Sequence, residues 1–125
     1  MRDRIAGFDF DERDGVVVAR VGGEIDSSNA SELRLALSER LPSATNALVL
    51  DLSEVTYLDS AGIQLLFELG KRLGARRQRM RLVVPGDAPM RRVLELCDMA
   101  SVAPLDPELE QALRALADAD AQASA

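Results

Sequence analysis

Asp59-Ser60-Ala61-Gly62 sets a hydroxyl beside a carboxylate where an apolar run of strand length, residues 47–52, gives way to apolar residues at helical spacing: Ile63, Leu66, Phe67, Gly70 and Leu73. A helix start gathers unpaired backbone N–H groups at the positive end of the helix dipole, so an anion is accommodated there without unfolding the chain. Ser60 is therefore a candidate for covalent phosphate. It is equally a candidate N-cap whose hydroxyl accepts a backbone N–H bond, and one position can serve both roles. A second polar cluster, Asp26-Ser27-Ser28-Asn29, also precedes a helix-spaced series. Asp26 and Asp59 are suited to satisfying turn N–H groups or to touching a partner. Gly62 in a first helical turn costs roughly 1 kcal/mol relative to alanine, which points to close approach by a neighbouring loop or by a partner.

The chemistry missing from the chain narrows the rest. There is no histidine, which removes the usual general base, the Ser-His-Asp arrangement, and most zinc and iron sites. Cys97 is the single cysteine, so no internal disulfide or thiolate cluster forms, and its apolar neighbourhood predicts a buried small hydrophobe. Gly22 and Gly23 are adjacent and make no GxGxxG, and no GxxxxGK[ST] is present. No cofactor and no metal are expected. An enzyme is not expected either, because a hydrolase or nucleotide binder built on Ser60 and Asp59 would have only carboxylates as bases.

The elements that must position these residues follow from periodicity. Residues 5–11 and 16–21 read as strands joined across Glu12-Arg13-Asp14-Gly15, whose Asp-Gly pair signals a hairpin. Ala30, Leu33, Leu37 and Leu41 share one face of a first helix over residues 30–41, started by Asn29 with Glu32 as a capping-box pair and stopped by Pro42. The strand over 47–52 leads to a second helix over 61–73, with Gly74 as its left-handed C-terminal residue. A strand over 80–84 and a helix over 89–97 come next, the latter with Pro89 in its first turn and Val93, Leu94 and Cys97 inward. A weak strand over 101–103 precedes a last helix with Asp106 as cap and Pro107 at its first position, and with Leu109, Leu113 and Leu116 facing the core. Alternating strands and helices predict a single α/β domain over residues 1–117, a mixed, mostly parallel sheet with about four helices and one antiparallel edge. Residues 118–125 are expected to fray.

Composition agrees with one domain: 125 residues, 47% of them apolar, supply a single core of Leu, Val, Ile and Ala. A net charge of −6 with only four aromatic residues, Phe8, Phe10, Tyr57 and Phe67, argues against nucleic acid and against an anionic membrane surface. The arginines at 72, 76, 77, 79 and 81 read as a solvated face near a helix C-terminus. No apolar run approaches the roughly 20 residues of a membrane span. Met1-Arg2-Asp3-Arg4 leads into mixed sequence rather than a signal peptide. A cytoplasmic protein without membrane insertion is expected.

Gly23-Glu24-Ile25-Asp26 ahead of the first helix, and Leu52-Ser53 through Tyr57-Leu58-Asp59-Ser60-Ala61-Gly62 ahead of the second, resemble the bacterial anti-sigma factor antagonist family, the STAS domains. The likeness runs in order from the opening hairpin to the last helix. It implies a right-handed βα superhelix on one mixed sheet, and phosphorylation of Ser60 by a serine kinase that is also the anti-sigma factor. It further implies that the unphosphorylated protein binds that kinase and frees the sigma factor, with a serine phosphatase as a further partner. The expected docking surface comprises Asp26, Ser27, Ser28, Asn29, Asp59, Ala61, Gly62 and Ile63 around Ser60. The competing reading keeps the fold and makes the chain a constitutive STAS subunit of a transporter or larger signalling complex. One departure from the family pattern lies at Leu96-Cys97-Asp98-Met99, where Asp98 stands at a left-handed position that glycine enters more readily.

Overall fold

The computed structural model describes residues 5–41 and 45–124. Asp14 and Gly15 both take positive φ, 52° and 82°, the backbone a two-residue hairpin turn requires. Strand β1 (Ile5–Arg13) thereby folds back antiparallel on β2 (Val16–Ile25), each strand running further than the apolar pattern alone predicts. Three strands, β3 (Ala47–Leu58), β4 (Arg79–Val83) and β5 (Leu105–Asp106), follow in parallel, so that spatial order equals chain order across the sheet. Helices α1 (Ala30–Arg40), α2 (Ser60–Ala75), α3 (Arg91–Leu96) and α4 (Leu109–Ser124) complete the mixed α/β fold.

Alternation along the strands divides the core between two faces. Val17, Ala19, Leu48, Leu50 and Leu82 pack beneath Leu33 and Leu37 of α1, Leu66 and Leu73 of α2, and Leu94 of α3. The intervening Val18, Val49 and Val83 meet Ala112 and Leu116 of α4 on the opposite face. Covering both faces explains the uninterrupted apolar run at the start of β3.

Several local expectations are corrected. Gly74 lies within α2, and Arg77 takes the left-handed position instead, at φ 59°. The Gln78 N–H reaches the Leu73 carbonyl at 2.8 Å and the Arg77 N–H reaches Gly74 at 3.0 Å, the paired bonds that close a helix one turn later than expected. Helix α3 starts at Arg91, with Pro89 in the turn before it. Leu94 is sealed inside, whereas Val93 and Cys97, four residues apart on the next face round, are exposed. Asp98 accepts the left-handed conformation at φ 59°. Residues 99–101 form a short 3-10 turn, held by bonds from Ser101 to Asp98 and from Val102 and Ala103 to Met99, and the strand expected over 101–103 comes instead at Leu105–Asp106. Asp106 is a strand residue rather than a cap, its carboxylate gripping Arg81 at 2.7 and 3.1 Å. Helix α4 continues through residues 118–124. Pro42, the expected stop of α1, lies outside the described residues.

The feature that positions the site is an extension of two strands. Strand β4 pairs with β3 only from Ala47 to Asp51, yet β2 and β3 stay paired as far as Ile25 and Leu58. Register shifts at Arg20/Gly22 and Gly23/Glu24, with Gly23 at φ 87°, mark irregularities along this arm, which β1 flanks as far as Gly23 and which is two-stranded only at its tip.

Candidate functional site

The arm ends with Ile25 beside Leu58, which delivers the loop over residues 26–29 and the start of α2 to the same place. The Asp59 N–H donates to the Ile25 carbonyl at 3.2 Å, so the two chain segments are joined by backbone before any side chain acts. Ser60 is the first residue of α2 and is exposed. Its expected capping role falls to Asp59, whose Oδ1 accepts from the Ala61 N–H at 2.9 Å and the Gly62 N–H at 3.1 Å. A carboxylate oxygen has two lone-pair directions and takes both orphan donors at once. The serine hydroxyl is thereby left outside the cap.

The other carboxylate oxygen of Asp59 turns the opposite way and accepts from the Ser27 N–H at 3.3 Å. Within the loop, Asp26 Oδ1 accepts from both the N–H and the hydroxyl of Ser28. Asn29 is 2% exposed and stands at the N-cap position of α1 as expected, but its side chain makes no capping bond. Its Oδ1 instead accepts from the Asp26 N–H at 3.0 Å, and its Nδ2 donates to the Glu24 carbonyl at 2.8 Å. The first turn of α1 is held by the Asp26 carbonyl, which accepts from the Asn29 and Ala30 N–H groups.

Gly62 is buried, and a Cβ there would lie 2.4 Å from Leu58 Cδ1 and 3.1 Å from the Ile25 carbonyl oxygen. Close approach by the ends of β2 and β3, rather than by a loop, accounts for this glycine. Among the expected partner contacts, Ser27 and Ser28 are exposed, Asp26, Asp59, Ala61 and Ile63 are half-buried, and Asn29 and Gly62 are sealed inside. The structure thus brings every one of these residues to a single place, and gives Asn29 and Gly62 internal packing and bonding partners.

Two features near the site were not placed there from the sequence: the exposed side chain of Tyr57 and the polar pairs that join α1 to α2. Tyr57, 52% exposed, stands opposite Glu24 on the arm, three residues before the start of α2 at Ser60. The alternating β-branched and aromatic residues Val55, Thr56 and Tyr57 were the available signal for strand beyond residue 52. Across the helices, Arg34 pairs with Glu68 at 2.6 Å and Arg72 donates to Ser38, fixing α1 against α2. Of the arginine group, Arg81 is half-buried in its pair with Asp106, while Arg72, Arg76, Arg77 and Arg79 are exposed. Among the described residues no group of three or more potential ligands is arranged to hold a metal ion, and no helix is long and apolar enough to cross a membrane.

A parallel sheet with one antiparallel edge, and a serine presented at a strand-to-helix junction, define a small α/β module. The STAS domain family model matches residues 8–112, and the chain belongs to that family. It is 30% identical over 107 residues, 85% of this chain and 90% of the relative, to a protein of Bordetella bronchiseptica named as an anti-sigma factor antagonist, BtrV. It is 38% identical over 63 residues to the anti-sigma-F factor antagonist RsfB of Mycobacterium tuberculosis, a match spanning 50% of this chain and only about half, 52%, of that relative. The crystal structure of an anti-sigma factor antagonist from Mycobacterium paratuberculosis superposes with a TM-score of 0.77 at 35% identity, covering 87% of this chain and 92% of that one. These relatives all carry the name of anti-sigma factor antagonist.

Proposed function

We propose that this protein is an anti-sigma factor antagonist that works by partner switching in the cytoplasm and has no catalytic activity of its own. The unphosphorylated form docks on an anti-sigma factor that is also a serine kinase, through Ser60, the loop over residues 26–29 and the exposed face of α2, and the sigma factor is released. In the return step the kinase transfers the γ-phosphoryl group of ATP to Ser60 Oγ, the serine proton passes to a base on the kinase, and ADP leaves. A serine phosphatase resets the cycle.

The observation that carries this reading is the division of labour at the start of α2: Asp59 caps the helix, and the exposed Ser60 stands outside the cap. A phosphate there brings a charge of about −1.5 to −2. The helix start offsets roughly 0.3–1 kcal/mol of it, while Asp59 opposes it, so the fold tolerates the group. At a docking face, a partner carboxylate at roughly 6 Å repels each unit charge by on the order of 3 kcal/mol at an effective dielectric near 20. Association therefore weakens by about a hundredfold or more, and the switch acts on binding rather than on folding.

The test is mass spectrometry of the protein after incubation with ATP and its cognate anti-sigma kinase. One phosphate located on Ser60, absent from Ser60→Ala, is the expected result. An unmodified wild-type protein that co-purifies stoichiometrically with a larger assembly would favour the constitutive STAS subunit instead.

A further inference from the structure

Asp59 reaches in two directions, and the two reaches do different things. Oδ1 holds the Ala61 and Gly62 N–H groups at 2.9 and 3.1 Å and so belongs to α2. Oδ2 holds the Ser27 N–H at 3.3 Å, across a sequence separation of 32 residues, and so belongs to the loop that follows β2. On its other side that loop is pinned by the buried Asn29, which ties it to the Asp26 N–H and the Glu24 carbonyl. Asn29 is shielded from solvent, whereas the Ser27 contact is exposed and is made by the residue that precedes Ser60.

We propose that Asp59 is a positioning residue that latches the loop over residues 26–29 to the start of α2, and that negative charge on Ser60 opens this latch. The inference rests on the reading of Ser60 as the switch residue and deepens it. A dianion on Ser60 Oγ sits next in sequence to the Asp59 carboxylate, and both compete for the same few N–H donors at the helix start. The α2 donors, Ala61 and Gly62, lie in the helix itself and remain within reach of the phosphate or of Oδ1. The Ser27 N–H is the donor that can be given up without unwinding a helix turn. Phosphorylation then acts on a partner twice, by its own charge and by freeing the loop from the geometry a partner docks against.

Asp59→Asn separates the two reaches. The amide oxygen still accepts from Ala61 and Gly62, while the NH2 group replacing Oδ2 cannot accept from Ser27. Asp59→Ser keeps a competent cap with no second acceptor arm, and serves if the asparagine variant does not fold. Residue-resolved amide hydrogen exchange on the whole chain is the measurement. The expected result is exchange at the Ser27 N–H faster by about tenfold or more, as loss of a hydrogen bond to a charged acceptor implies, with Ala61 and Gly62 unchanged. Ser60→Asp should raise Ser27 exchange in the same way with Asp59 intact. Unchanged Ser27 exchange in either kind of variant, or a uniform rise across Ser27, Ala61 and Gly62, would reduce Asp59 to a helix cap and overturn the latch. None of these readings needs a kinase, so an absence of phosphorylation would count against the switch while leaving the latch standing on its own test.

Discussion

The two ends of α2 handle the same structural problems in opposite ways. At the N-terminal end, the buried side chain of Asn29 has both polar atoms bonded, and Gly62 is pressed against Leu58 and the Ile25 carbonyl. At the C-terminal end, Thr45 Oγ1 and Gln78 Oε1 are buried with no hydrogen-bond partner among the described residues, and a Cβ on Gly74 would meet nothing within 4 Å. There Gly74, Gln78 and Arg81 border a pocket of about 290 Å³. The N-terminal end is over-determined where the proposed switch sits, and the C-terminal end is merely closed.

That contrast sets the sign as well as the size of four substitutions. Asn29→Ala should have the largest effect, since it strips partners from the Asp26 N–H and the Glu24 carbonyl; unfolding in denaturant should show a loss of about 2 kcal/mol. Gly62→Ala gains helix propensity but forces a methyl onto the Ile25 carbonyl, where only backbone movement makes room, and a net loss of about 1 kcal/mol is expected by the same measurement. At the other end the effects reverse. Thr45→Val removes an unpartnered hydroxyl while keeping the backbone carbonyl that accepts from Gln78 Nε2 at 2.7 Å, and should stabilise by about 1 kcal/mol, read as a thermal midpoint higher by roughly 3–6 °C. Gly74→Ala, the smallest change, should stabilise by about 0.5–1 kcal/mol in the same melt. If Gly62→Ala and Gly74→Ala shifted stability in the same direction, the distinction between the two ends would not hold.

The scaffold was legible where one periodicity dominated. The hairpin at Asp14-Gly15, the apolar faces of α1 and α2, and the parallel order that follows from alternating elements could all be read directly. Elements failed where tertiary bonds outweighed a local signal. Asp106 has the spacing of a cap, but Arg81 claims its carboxylate; Asn29 has the type of a cap, but the loop behind it claims its amide. Gly74 looked like a helix stop because glycine tolerates positive φ, yet Arg77 adopts it and α2 gains a turn. The residues of the site were legible as two polar clusters ahead of two helices. Their meeting was not, because it depends on β2 and β3 continuing as a pair beyond the reach of β4, and the polar residues Ser53, Glu54 and Thr56 mask that arm.

Charge on the exposed Ser60, tolerated within the fold, is proposed to prevent docking. Isothermal titration calorimetry of the cognate anti-sigma factor against wild type, Ser60→Ala and Ser60→Asp tests it most directly. Wild type and Ser60→Ala should bind alike, and Ser60→Asp should bind about a hundredfold more weakly while melting at a similar temperature. Equal affinities for all three folded proteins would contradict it.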